Sequence, residues 1–182
     1  MDGLLYMPLK KNNPLRILNP MGQKVVPFKR RDHYTTPQEA WEDILQFVPK
    51  DTELWLPFYH DGKAGRLVRS LGYRNVVHEK DQDFFQTAHS QKMLVIDNPP
   101  YSKKQNVVDR LFRENPNRSF ALLLPLGTLG RQYMRNYTKG LQVLVPRSRY
   151  NFEGRGNVPF KACWFCWNMS DLLKSDRQLL FL

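Results

Sequence analysis

The sequence predicts an α/β domain whose mostly parallel sheet is covered by helices on both faces. From Thr35 onward, short apolar segments alternate with amphipathic segments, which is the order of strands and helices in such a sheet. The apolar segments are hydrophobic at nearly every position, as expected for strands that are buried on both faces. The chain has 182 residues, of which 41% are hydrophobic, and this suffices for one domain with its own core.

The elements are expected in a regular order. The segment TTPQEAWEDILQFV predicts a first helix with Thr36 as N-cap, Pro37 at the first helical position and Glu39 as capping-box partner. Further helices are expected in AGRLVRSLG, KQNVVDRLFREN and LGRQYMRNY, and a short turn in DQDFFQ. Strands are expected in ELWLPF, NVVHEK, KMLVID, SFALLLPLG, LQVLVPRS, YNFEG and KACWFCWNM. Ligands bind beyond the carboxyl ends of parallel strands, so the turns after Pro57, His78 and Ile96 are the candidate sites.

Residues 1–33 are expected to form a basic, proline-punctuated arm in front of a domain of residues 34–182. The arm shows no helical or strand period. It is expected either to pack over the domain or stay loose, or to lie on phosphate backbone through Lys29, Arg30 and Arg31. The whole chain has 28 Lys and Arg against 17 Asp and Glu, a formal net charge of +11. Such a charge attracts polyanions, nucleic acid first and anionic membranes second.

The sequence also bears on cellular location. No apolar run approaches the roughly 20 residues of a membrane span. The polar start of the chain has no signal-peptide pattern. We therefore expect an intracellular protein.

Cysteine and histidine usage predicts no metal site. Cys163 and Cys166 form a single pair, CWFC, which supplies only half of a structural zinc site. The four His residues are scattered without metal-ligand spacing. The aromatic segment around the cysteines indicates two reduced thiols in a buried strand, with redox or metal use as the alternative.

The turn DNPPYS, residues 97–102, is the segment that says most about chemistry. Two prolines hold Asn98 extended and donate no N–H, so the Asn98 side chain and the backbone carbonyls are available as acceptors. Tyr101 adds an aromatic face. A planar amine stacked on Tyr101 could donate to Asn98 and to the Pro99 carbonyl, which suits a conjugated amino group that must become nucleophilic. An ordinary double-proline turn is the alternative, and Asp97 is a rival for the acceptor role.

The tetrapeptide of Asn98, Pro99, Pro100 and Tyr101 resembles the catalytic signature of N6-adenine methyltransferases. On its N-terminal side, PFYHDGKAG resembles their S-adenosylmethionine loop, and YTTPQEAW resembles the Thr-Pro segment that closes over the methionine part of the cofactor. The resemblance covers about residues 34–169 and is closest to small phage- and virus-type DNA adenine methyltransferase-like proteins. It implies a Rossmann-like class I methyltransferase fold. It also implies direct methyl transfer, without a metal, to adenine N6 in DNA or RNA, the adenine being unpaired or flipped out.

The resemblance further implies which residues bind S-adenosylmethionine. Glu79 is expected on the ribose hydroxyls, and Asp83 and Phe84 at the adenine ring. Gly62 and Gly65 let backbone approach a ligand, and the helix that begins near them points its N-terminus at the methionine carboxylate. The implied cofactor contacts are Thr36, Pro37, Pro57, Phe58, Tyr59, Asp61, Gly62, Gly65, Glu79, Asp83 and Phe84.

Two departures from the family pattern keep other functions open. Leu56 stands where the family usually has Asp or Glu facing the methionine end of the cofactor. Either Asp61 or another acid substitutes, or cofactor affinity is low, or the chain is a non-catalytic nucleic-acid-binding subunit. The chain also has little room for a groove-reading element, so target recognition falls to the arm, to loops or to a protein partner. Because an NPPY turn also serves a side-chain amide, a protein glutamine methyltransferase is a further alternative.

Nucleic-acid contacts are expected at two places besides the arm. Lys103 and Lys104 follow the NPPY turn and are placed for a target phosphate, with exposed helix-start charges as the alternative. The segment PRSRYNFEGRGN interleaves cations with aromatics, which suits phosphates and stacked bases, with a solvated hairpin as the alternative. The expected contacts in this segment are Arg147, Arg149 and Arg155.

Overall fold

The computed structural model describes residues 35–88, 92–152, 158 and 160–182. The strands are β1 (Leu54–Trp55), β2 (Val76–Val77), β3 (Leu94–Asp97), β4 (Phe120–Pro125), β5 (Leu141–Val145), β6 (Ala162–Trp167) and β7 (Leu179–Phe181). The helices are α1 (Gln38–Leu45), α2 (Lys63–Ser70), α3 (Lys104–Glu114) and α4 (Ser170–Leu173), with two 3-10 helices at Leu126–Gly130 and Gln132–Tyr137. Within these ranges, none of the helices combines the length and the hydrophobicity that crossing a bilayer requires. The predicted arm of residues 1–33 lies outside the described residues.

In the described part of the chain, seven strands form one sheet in the order β2-β1-β3-β4-β6-β5-β7. Strand β6 is antiparallel to both of its neighbours, and every other pairing is parallel. Six strands therefore run in one direction, which confirms the predicted mostly parallel sheet. Strand β1 pairs with β2 on one side and with β3 on the other. The strand order therefore reverses at β1, between β1 and β3.

Both faces of the sheet are covered, as predicted. On one face, α1 packs through Trp41, whose ring centroid lies 5.5 Å from that of Trp164 on β6. On the other face, α3 contributes Val107 and Leu111 to a second apolar cluster. Strand β4 serves both clusters, since its alternate side chains enter opposite faces. This double burial explains why the strands are apolar at nearly every position.

The two cysteines lie on β6 and are fully buried. Cys163 packs in one apolar cluster and Cys166 in the other, so the sheet separates their thiols. They can therefore neither pair with each other nor share a metal ion. Burial raises the pKa of the Cys163 thiol to about 11 and also raises that of Cys166. The interpretation of both residues as core thiols is confirmed.

The predicted capping box of α1 is wrong. The helix begins after Pro37, whose backbone is extended (φ −68°, ψ 155°), and no side chain caps it. Thr36 Oγ1 instead accepts a hydrogen bond from Asn98 Nδ2, 3.0 Å away. Glu39 Oε1 accepts from the backbone N–H of Asn151 at 3.3 Å. Both side chains are engaged by distant segments rather than by the helix that they begin.

Four further elements differ from the prediction. The segment LGRQYMRNY forms parts of two 3-10 helices instead of an α-helix. Residues 150–152 of the predicted strand YNFEG are not a strand, and Tyr150 is buried with its hydroxyl donating to Asp43 Oδ2 at 2.7 Å. Helix α4 and strand β7 were not predicted, and β7 adds a parallel strand beside β5.

Candidate active site

The carboxyl ends of β1 and β3 meet where the strand order reverses, which is where open α/β sheets bind their ligands. Two loops that follow these strands form a small cleft with the segment before α1. Its lining residues are Thr35, Thr36, Phe58, Tyr59, His60, Asp61, Ala64, Asp97 and Asn98. Its volume is about 30 Å³, room for a few water-sized groups.

Asp97, the last residue of β3, joins the two strand ends. Its carboxyl group is 2% exposed, with Oδ2 accepting from the Phe58 N–H at 2.6 Å and Oδ1 from the Asn98 N–H at 2.8 Å. Burial raises the pKa of Asp97 to about 8, although these two N–H bonds act in the opposite direction. The sequence suggested Asp97 only as a rival acceptor for the target. The structure makes it the buried group that ties the loop after β1 to the turn after β3.

Asn98 connects the NPPY turn to the segment before α1. The hydrogen bond from its Nδ2 to Thr36 Oγ1 spans 62 positions of the sequence and sets the orientation of the carboxamide. Pro99 is buried and Pro100 is half-buried, so the turn is embedded rather than protruding. The Thr-Pro segment and the NPPY turn, predicted as parts of one site, therefore do lie together.

Tyr101 is half-buried beside the cleft. Its ring meets that of Phe160 edge-on, with centroids 5.5 Å apart, and Lys104 Nζ donates to its carbonyl oxygen at 3.0 Å. Asn98 Oδ1 and Tyr101 Oη are both buried. The two polar atoms thus lie inside the turn, although both residues are only half-buried.

The loop after β1 begins with buried Pro57 and ends at Gly62, the residue before α2. Asp61 Oδ1 accepts from the Lys63 N–H at 3.0 Å and so supports the start of α2. Gly62 has φ +72°, a left-handed conformation that favours glycine, and a Cβ there would lie 2.6 Å from Tyr59 Oη. The Tyr59 ring in turn stacks on that of His78, with centroids 4.8 Å apart.

His78 lies beneath this loop and is 7% exposed. Its Nδ1 is hydrogen-bonded to the Leu56 carbonyl oxygen at 2.8 Å, and burial lowers the pKa of the imidazole. The Leu56 side chain itself is 1% exposed and belongs to the apolar core. The carboxyl groups that line the cleft are those of Asp61 and Asp97. The sequence missed His78, because a single histidine after a strand carries no distinguishing signal.

Gly65 packs directly against His78, so its replacement should destabilise the fold. A Cβ at Gly65 would overlap the His78 ring. We expect Gly65→Ala to lower the free energy of unfolding by about 1–3 kcal/mol, the usual cost of overpacking, measured by urea denaturation. Gly127→Ala is the matched control, because a Cβ there meets no atom within 4 Å. Equal stability of the two variants would show that the His78 ring moves aside freely.

Two of the residues expected at the adenosine part of the cofactor lie exposed after β2. Glu79 accepts a hydrogen bond from the Gln82 side chain. The carboxylate of Asp83 accepts from the Phe85 N–H at 2.9 Å and from Gln86 Nε2 at 3.1 Å. Asp83 thus orders the turn of residues 84–87, and both acids remain exposed at the carboxyl edge of the sheet.

Phe84 occupies the core and does not line the cleft. It is 3% exposed, and its ring centroid lies 5.6 Å from that of Trp55 and 5.1 Å from that of Phe58. The guanidinium of Arg110, itself 5% exposed, covers the Phe84 ring at 4.5 Å. Phe84 therefore supports the loop after β1 from below, where the resemblance implied a contact with adenine.

Charge is unevenly distributed among the segments that follow the parallel strands. Beyond β2 lie the acids Glu79, Asp81 and Asp83. The stretches that follow β3, β4 and β5 (98–104, 126–138 and 146–152) hold six Lys and Arg residues and no Asp or Glu. These cations are Lys103, Lys104, Arg131, Arg135, Arg147 and Arg149.

The predicted nucleic-acid contacts lie partly in these basic stretches. Arg147 and Arg149 are exposed after β5, and Lys103 Nζ lies 5.6 Å above the Phe85 ring. Arg131 and Arg135 were not predicted, and they lie in the connection between β4 and β5. The expected contacts Lys29, Arg30, Arg31 and Arg155 lie outside the described residues.

Comparison of the sequence with known proteins does not assign the chain to a family. No protein-family model matches the chain, and no curated protein matches it. A functional interpretation therefore depends on the chemistry of the cleft and on the short motifs that form it.

Proposed function

We propose that this protein is an S-adenosylmethionine-dependent methyltransferase that modifies the N6 amine of adenine in DNA or RNA. One observation carries the proposal: three separate segments that resemble parts of such enzymes converge on one cleft. Thr36 is bonded to Asn98 at 3.0 Å, and the Phe58 N–H to Asp97 at 2.6 Å. These pairs are 62 and 39 positions apart in the sequence, so proximity along the chain does not explain their meeting.

A Rossmann-like methyltransferase fold is part of the proposal. The cleft lies at the reversal of strand order between β1 and β3, the usual ligand position in doubly wound sheets. One reversed strand, β6, is inserted between β4 and β5. A sheet that is parallel apart from one such strand is compatible with the fold that the sequence motifs imply.

The chemistry of the cleft fits the cationic methionine end of S-adenosylmethionine. Asp61 and Asp97 supply carboxyl groups, and Thr35 and Thr36 supply hydroxyls. A bound ammonium would favour the ionised form of Asp97, whose burial otherwise favours the protonated form. Asp97 thus provides the acid that is missing at Leu56. This replacement favours an active enzyme over a non-catalytic subunit.

In the proposed reaction, S-adenosylmethionine supplies an electrophilic methyl group on a sulfonium. Asn98 Oδ1 and the Pro99 carbonyl accept the two N–H bonds of the adenine amine and so localise its lone pair. The Tyr101 ring stacks on the base. The nitrogen forms a bond to the methyl carbon as the carbon–sulfur bond breaks, and the amine then releases a proton to water. The residues thus orient and polarise the amine without covalent bonding to it.

The proposed macromolecular partner is nucleic acid. The stretches 98–104, 126–138 and 146–152 hold six cations and no Asp or Glu, and this local excess of positive charge favours a polyanion over a neutral peptide amide. This observation ranks adenine above a protein glutamine side chain as the target. Because nucleic acid is the proposed partner, we also propose that the protein acts inside the cell.

Cofactor binding tests the proposal directly, by calorimetric titration with S-adenosylmethionine. We expect measurable binding, and Glu79→Ala should weaken it at least tenfold, because hydrogen bonds to a charged group contribute about 1.5–3 kcal/mol each. Asp81→Ala is the control, since it removes the same charge from an exposed position two residues away. Failure of the wild-type chain to bind would favour the non-catalytic subunit. If both variants bind S-adenosylmethionine as tightly as the wild type does, Glu79 is not part of the cofactor site.

A further inference from the structure

A second, larger groove lies beside the start of α3. It has a volume of about 530 Å³, within the range of about 300–1,000 Å³ that is usual for ligand sites. It is lined by Gln105, Arg131, Gln132, Tyr133, Arg135 and Asn136, and thus by two cations and no acid. None of these residues belongs to the cleft described above.

The wall of this groove is held firmly. The 3-10 helix Gln132–Tyr137 buries Met134 in the core. At its end, the Tyr137 hydroxyl donates to Asp109 Oδ1 on α3 at 2.6 Å, and Trp167 Nε1 on β6 donates to the Tyr137 carbonyl at 2.7 Å. Asp109 thereby anchors this wall to α3. Arg131 and Arg135 project from a fixed support, and both are exposed.

The lining chemistry matches a nucleic-acid strand. Guanidinium groups bind phosphate oxygens in a bidentate geometry, and carboxamides such as Gln105 and Asn136 pair with base edges. The half-buried ring of Tyr133 offers a surface for stacking. We propose that this groove binds the phosphodiester backbone of a single-stranded segment next to the target nucleotide. The identity of the target rests on the proposed function, but binding of the strand does not.

The position of the groove favours a polymer over a free nucleotide. Gln105 lies in the first turn of α3, and Lys103 and Lys104 immediately precede it. These cations lead from the groove towards Tyr101 and the NPPY turn. A strand can contact both places at once, whereas one nucleotide fills only the groove.

The test is fluorescence anisotropy of the full chain with an adenine-containing single-stranded DNA, titrated between 50 and 200 mM salt. The double variant Arg131→Gln, Arg135→Gln should weaken binding and flatten the slope of log K against log salt by about 1.4, as expected for two lost phosphate contacts on single strands. The matched control is Arg74→Gln with Lys174→Gln, since both residues are exposed and neither lines the groove.

Selective loss in the groove variant would support the inference. Equal loss in both double variants, or an unchanged slope in the groove variant, would overturn it. If adenosine monophosphate competes as effectively as the oligonucleotide, the groove is a mononucleotide site and the inference is overturned. If the groove variant loses heparin binding to the same extent as DNA binding, the groove is a general polyanion surface and the inference is likewise overturned. The binding assay needs no cofactor. If the groove variant alone loses DNA binding but the wild-type protein shows no methyl transfer, only the proposed function is refuted. Methyl transfer with unchanged strand binding would refute only the groove.

Discussion

Replacing Asn98 with alanine is expected to abolish methyl transfer to adenine while leaving S-adenosylmethionine binding nearly intact. In the proposed mechanism, the hydrogen bond from the target amine to Asn98 becomes stronger as the nitrogen leaves conjugation with the ring. An interaction of this kind lowers the barrier more than it improves affinity. The measurement is methyl incorporation into unpaired, adenine-containing DNA and RNA, with calorimetry for the cofactor.

Two further variants separate the parts of this prediction. Tyr101→Phe should retain substantial activity, because the ring and not the hydroxyl stacks on the base. Thr36→Val removes the acceptor that holds Asn98 Nδ2 at 3.0 Å, so it should lower kcat less than Asn98→Ala does. Full activity of Asn98→Ala would refute the mechanism. Inactive wild-type protein on every substrate would support the non-catalytic subunit that the sequence left open.

Much of the fold follows from local patterns in the sequence. The run FALLLP predicts a strand buried on both faces, and β4 is such a strand because its alternate side chains serve two separate cores. The pattern KQNVVDRLFREN predicts a helix with one apolar face, and α3 buries Val107, Val108 and Leu111. In these segments the local period and the tertiary environment agree.

The remaining features depend on distant segments of the chain. Nothing within ACWFCW indicates that β6 inserts between β4 and β5, because strand order is set by pairing across the sheet. Thr36 carries a proper capping pattern, but the partner that binds it comes from residue 98. Asp83 and Phe84 are adjacent in sequence, yet Asp83 is exposed in the turn and Phe84 is buried in the core. Motifs predicted which segments meet, and burial decided which of their side chains face the cleft.

Asp97 should make the folded protein less stable as the pH rises from about 4 to about 8. An unfolded aspartate releases its proton near 3.8, whereas burial keeps the Asp97 carboxyl protonated in the folded state up to a pKa of about 8. Between these values the folded state binds the extra proton, so the free energy of unfolding falls with pH by at most about 1.4 kcal/mol per unit. Above the folded pKa both states are ionised and the contribution becomes constant.

Urea denaturation of wild type and Asp97→Asn at several pH values between 5 and 9 isolates this contribution. The asparagine cannot ionise, and its amide would place a donor against the N–H of Phe58 or Asn98, so at pH 5 it should be about 1–3 kcal/mol less stable than wild type. That difference should shrink as the pH rises and change sign before pH 8, because the wild type loses up to about 1.4 kcal/mol per pH unit over this range whereas the variant does not. Asp61→Asn is the control, because the pKa of Asp61 is lowered and its contribution is already constant above pH 5. A difference for Asp97→Asn that stays constant across this range would mean that the two backbone N–H bonds outweigh burial and keep Asp97 ionised throughout.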